Sequence, residues 1–61
     1  MNNWVAMALD AEERGDWAEA KRCWYYAAHT ATDGDTRAHY NRREDRAGER
    51  YRDENQTTGK A

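Results

Sequence analysis

The stretch Arg14-Gly15-Asp16-Trp17-Ala18-Glu19 constrains the fold more than any other part of the chain. Gly15 follows a run of helix-forming residues and takes a positive φ without a Cβ clash, so it suits the position just past a helix end. Asp16 comes next and can accept backbone N–H bonds at the start of a second helix. Glu19 stands three residues on, giving the spacing of a capping box with Asp in the cap role. One helix therefore stops and another starts with almost no loop between them. Two helices joined this tightly pack as an antiparallel hairpin. The same three residues also spell the adhesion tripeptide Arg-Gly-Asp. That use needs an exposed loop tip in a secreted protein, which the rest of the sequence does not favour.

The helical period supports the hairpin on both sides of Gly15. Trp4, Met7, Ala8 and Ala11 recur at i, i+3, i+4 and i+7, with Val5 and Leu9 widening the face. Asp10, Glu12 and Glu13 fall mainly outside it. The first helix is expected over about 3–14, with Asn2 or Asn3 as its cap. The second is expected over about 17–31, with Trp17, Ala20, Trp24, Ala27 or Ala28, and Ala31 as its seam. Thr32-Asp33-Gly34-Asp35 is a turn-forming break. A third, Arg-rich helix follows over about 36–52, with Tyr40, Ala47 and Tyr51 as a thin apolar stripe. Residues 53–61 lack an apolar face and read as a flexible tail, leaving 1–52 as a single small domain. With no Pro and no alternating β-branched run, the fold class is all-α.

A chain of 61 residues buries only about 60% of the surface its unfolded form exposes. Here Ile and Phe are absent and Ala is frequent, so the three Trp and four Tyr carry the burial. The single Cys allows no internal disulfide and fits a reducing compartment. No segment reads as a signal peptide or a membrane span, so a cytoplasmic, non-membrane protein is expected. Charge divides along the chain: residues 1–36 carry a net −4 and residues 37–61 a net +2. Neither half is charged enough to imply nucleic acid or membrane by itself.

Catalytic and metal chemistry find little in the residues. Cys23, His29 and His39 lack the paired spacing of structural zinc, and no fourth ligand is evident. Cys23 and His29, six apart on one helix, point about 240° from one another. A chain this short shapes no deep pocket. The expectation is no enzyme, no cofactor and no metal. Arg42, Arg43 and Arg46, interleaved with aromatics, form a candidate nucleic-acid surface on the third helix, although acids interrupt them. The stronger feature is aromatic. Trp24, Tyr25 and Tyr26 are consecutive and sweep about 200° of the second helix, more than a hairpin hides. Some of these rings meet the third helix, a second copy or a protein partner. Trp4, Trp17, Trp24, Tyr25 and Tyr40 are the candidate core-and-contact set, and a homodimer would relieve the small core.

The pattern Ala11-x-Glu13-Arg14-Gly15-x-Trp17-x-x-Ala20-x-x-x-Trp24-x-x-Ala27-x-x-x-Ala31 is similar in outline to a tetratricopeptide-type hairpin. More closely it resembles the ANR proteins, small AraC negative regulators of enteric bacteria and their phages. The PerC-like regulators share much of it, and Arg42-Arg43 mirrors their downstream Arg-Arg pair. Three departures stand out. Glu13-Arg14 lies one residue closer to Gly15 than in the family outline, Arg37 replaces an Asn, and Ala47 replaces a Cys. The resemblance implies a small non-enzymatic regulator that binds an AraC-type transcription factor or a nucleoid protein such as H-NS. Direct DNA binding through the third helix and inhibition of a host enzyme, as phage proteins do, are the alternatives.

Overall fold

At Gly15 the chain turns back on itself. The computed structural model describes the backbone of residues 3–59 and the side chains of residues 3–54. It has three helices, α1 Trp4–Arg14, α2 Trp17–Thr30 and α3 Gly34–Gly59, and no strand among the described residues. Gly15 has φ +76°, the left-handed region. Its N–H donates to Glu12 O at 3.0 Å, and the N–H of Asp16 donates to Ala11 O at 2.8 Å. This pair of bonds is a Schellman closure, which satisfies two carbonyls at the end of α1. The Asp16 carboxylate then accepts the Glu19 N–H at 3.2 Å and caps α2.

The reciprocal half of the expected capping box is missing for a plain reason. It needs the Asp16 N–H, which the Schellman bond already holds. Glu19 instead accepts from the Cys23 thiol, with Sγ 3.8 Å from Oε2. At the other end of the hairpin Asn3 occupies the cap position of α1 without a side-chain bond, and Asn2 lies outside the described residues. A Cβ added at Gly15 meets nothing within 4 Å, so its glycine requirement is one of backbone angle alone. Gly15→Ala is therefore expected to cost about 1 kcal/mol, the left-handed penalty of a small L residue, in urea unfolding. A stability equal to that of the parent chain would show that the turn is not held at positive φ.

The second connection is also tighter than the sequence reading. α2 ends at Thr30, and Ala31 is extended at φ −70°, ψ 134°. The Asp33 carboxylate accepts from the Thr36 N–H at 3.0 Å and the Thr36 hydroxyl at 3.1 Å. These bonds hold the Asp33 carboxyl below its ordinary pKa. Asp33 is thus the cap, and α3 starts at Gly34 rather than at 36. Arg37 reaches back from α3, with Nη2 3.2 Å from Ala31 O. The helical backbone runs on to Gly59, beyond the expected end at 52. Of the expected flexible tail, the side chains of 55–59 and all of residues 60 and 61 lie outside the described residues.

The three helices run up, down and up, with α2 between the others. α2 packs along both neighbours, whereas α1 and α3 meet chiefly through one side-chain bridge. Among the described residues the core is almost entirely small: Ala8, Ala11, Ala20, Cys23, Ala27, Ala28 and Ala47, with Trp24 the one large buried residue. Small side chains let the helix backbones approach and leave a single indole to fill the space between them.

The core face of α1 is rotated from the sequence expectation. Met7 and Leu9 are each 44% exposed, while Trp4, Val5, Ala8, Ala11 and Glu12 turn inward. Glu12 decides the rotation. Its Oε2 accepts from Trp24 Nε1 at 2.7 Å, and its Oε1 pairs with Arg43 Nη2 at 3.1 Å. Arg43 in turn lies over the Trp24 ring, with Cζ 4.9 Å from the centroid. Tyr40 completes the surround at 5.6 Å between ring centroids. One residue from each helix, Glu12, Trp24 and Arg43, thereby forms a single bonded knot.

Candidate functional site

An antiparallel hairpin puts the start of α1 beside the end of α2. Trp4, the first residue of α1, lies there against Tyr26, with centroids 4.8 Å apart and planes 29° from parallel. Tyr25 stands edge-on to Tyr26 at 5.4 Å, and His29, one turn further along, stacks on Tyr25 at 5.4 Å. Four rings thus run in an unbroken ladder from α1 across α2, and Tyr25 and His29 at its far end border a hollow with Arg37, Asn41 and Glu44 of α3. The two tyrosines are not hidden by α3: Tyr25 is 47% and Tyr26 40% exposed. Exposed Met7, one helical turn after Trp4, extends the same apolar surface.

The candidate contact residues read from sequence separate into different roles. Tyr25 lies on the open face. Trp4 is half-buried and belongs to the ladder. Trp17 is half-buried away from it, under the Arg50 guanidinium at 5.1 Å. Tyr40 is half-buried against Trp24. Trp24 is only 2% exposed, so it is core and offers no surface to a partner. Tyr26, Met7 and His29 are also exposed and were not in the candidate set. The signal for Tyr26 was present: three consecutive aromatics cannot share one helix face.

A second concavity opens where α1 and α3 diverge over α2. Trp4, Val5, Ala27, Thr30, Thr36 and Tyr40 line a cleft of about 320 Å³. That is near the lower end of the range for small-molecule sites. Its walls are apolar rings and methyl groups, with threonine hydroxyls and Asp33 at the end where that carboxylate caps α3.

The basic residues of α3 do not act as one surface. Arg42 and Arg46 are exposed, but Arg43 turns into the knot with Glu12 and Trp24. The three therefore cannot together face a nucleic acid. His29 stacks on Tyr25 and His39 lies against Tyr40, while Cys23 is buried beside Glu19. Among the described residues no group of three or more His, Cys, Asp or Glu could hold a metal ion.

Burial, then the Glu19 carboxylate, pushes the Cys23 thiol pKa above its ordinary value. A neutral, buried thiol is a poor nucleophile. Alkylation by iodoacetamide at pH 8 is expected to be slower than in urea by the fraction of time the core opens. Equal rates in both would place Cys23 at the surface.

Compared with protein-family models, with curated proteins and with solved structures, the chain matches none. No helix among the described residues is long and apolar enough to cross a membrane. The aromatic ladder, open and contiguous, is the largest chemical statement that surface makes.

Proposed function

We propose that the chain is a small, cytoplasmic, non-enzymatic regulatory protein that binds another protein through the aromatic face of α2 and so modulates transcription. The observation that carries this reading is the ring ladder in which half-buried Trp4 supports the exposed Tyr26, Tyr25 and His29. Tyr and Trp are enriched where proteins bind tightly, because each presents much apolar area at little conformational cost and keeps a polar tip for water or a partner. Trp4 packs against the core, but the outward placement of Tyr25, Tyr26 and His29 beside it contributes little to burial.

The resemblance carried by residues 11–31 supplies the partner class: an AraC-type transcription factor or a nucleoid protein. The mechanism is steric. The ladder occupies the partner's dimerisation or folding surface, and the rigid hairpin blocks the second copy from docking.

The test is a promoter reporter driven by an AraC-type activator, with and without the chain, beside direct binding to the purified activator. The wild-type chain is expected to lower output. Tyr25→Ala with Tyr26→Ala is expected to restore output and weaken binding at least about tenfold, since two interface rings contribute above 1 kcal/mol each. Circular dichroism should show the double variant fully helical, because both side chains are exposed. Undiminished repression by a folded double variant would remove the ladder as the contact surface.

Direct DNA binding ranks second, since it retains Arg42 and Arg46 as outward cations but loses Arg43 to the knot.

A further inference from the structure

Arg43, Arg46 and Arg50 line a hollow of about 140 Å³ together with Glu12 and Trp17, at the opposite end of the α1–α3 line from the apolar cleft. Two of the three guanidiniums are fixed in place. Arg43 is held by Glu12 at 3.1 Å and by the Trp24 face, and Arg50 by the Trp17 face. Arg46 lies three residues from one and four from the other, so all three share one flank of α3. It has no carboxylate partner among the described residues. One carboxylate thus faces three cations. Arg43 Nε is moreover buried with no hydrogen-bond partner. Three guanidiniums converging beside one carboxylate repel one another until a further anion enters.

We propose that this hollow receives a single carboxylate, presented by an acidic side chain of the protein partner. Guanidinium forks match a planar carboxylate and can hold it with paired N–H bonds. The space is too small for a drug-sized ligand, and it admits a group the size of a side-chain terminus. The Glu12 carboxylate on its wall disfavours a dianion. Duplex DNA presents a line of phosphates and needs a row of outward cations, whereas this hollow lies at the junction of three helices. The inference rests on the protein-binding reading for its source of carboxylate, but it concerns a different surface from the ring ladder.

The test uses the full chain and small probes, so it needs no partner. The Arg Nε–Hε signals are followed by NMR during titration with acetate and with N-acetylglutamate α-amide, which carries one carboxylate, at constant ionic strength. The uncharged glutamine counterpart is the control. Saturable shifts confined to Arg43, Arg46 and Arg50 are expected with both carboxylates and not with the control. Arg46→Gln, at an exposed position, should weaken binding about tenfold while leaving the fold intact. Parallel, unsaturated drift of every arginine signal would overturn the site. A short duplex that displaces acetate from the same three arginines would overturn the carboxylate assignment in favour of phosphate. Either result leaves the Tyr25–Tyr26 face to its own reporter test.

Discussion

Trp24→Ala is expected to leave most of the chain unfolded at room temperature. Removing a buried Trp costs about 3–5 kcal/mol through lost burial and the cavity left behind. A domain of this length has a total stability of roughly 3–9 kcal/mol, from ~0.05–0.15 kcal/mol per residue. In a larger protein the same loss would be absorbed. Here, among the described residues, Trp24 is the one large buried side chain, and every other buried residue is an Ala or the Cys. Tyr40, whose ring lies 5.6 Å from that of Trp24, is only half-buried and is the neighbour that would have to shift into the void. The loss is also more than apolar, because truncation strips Glu12 of the Nε1 donor at 2.7 Å and Arg43 of the ring beneath it. Trp24→Phe separates the two effects. It retains most of the ring but no N–H, so about 1–3 kcal/mol, the worth of one bond to a charged group plus a small void, should be lost. Far-UV circular dichroism with urea titration reads both variants. Cooperative unfolding of Trp24→Ala within 1 kcal/mol of the parent chain would mean that the core does not turn on this indole.

The hairpin was legible in the sequence because its signals are local. Gly15 and Asp16 act on their own backbone, and the Ala and Trp spacing needs only the 3.6-residue period. The second turn was legible in kind but not in place. Four polar residues at 32–35 can all cap, and only the tertiary path selects Asp33. The rotation of α1 was not legible. By hydropathy, Met7 and Leu9 belong inside and Glu12 outside. The inversion holds because two donors on two other helices converge on one carboxylate, which no periodicity encodes. The candidate site divides in the same way. Too many aromatics for one face is a fact of the sequence, and Tyr25 is among the rings left exposed. Which rings escape burial depends on α3 covering one flank of α2 and not the other. That choice places Trp24 under Tyr40 and Arg43 and leaves Tyr26 to Trp4.

Glu12→Ala is expected to be the most damaging change of a charged residue, at about 2–3 kcal/mol. A surface ion pair contributes only about 0–1 kcal/mol, since water and ions replace it readily. Glu12 differs because both its oxygens are engaged, with Trp24 Nε1 and with Arg43 Nη2, and both partners are largely covered. Its removal leaves an indole N–H and a guanidinium short of acceptors together. Glu12→Gln retains a carbonyl oxygen for the indole and gives up the charge, so a loss of about 1 kcal/mol is expected. Arg43→Met retains an apolar stem over the ring and should also cost about 1 kcal/mol. Because Glu12 and Arg43 supply the principal link between α1 and α3, their effects should not add. The double variant should be less destabilised than the two single losses combined, by about 1 kcal/mol. Amide exchange locates the damage: in Glu12→Ala, α1 should open more often, while the α2–α3 pairing, which makes the larger contact, retains its protection. Strict additivity, with exchange rising evenly through all three helices, would mean that α1 is held by its alanine seam alone.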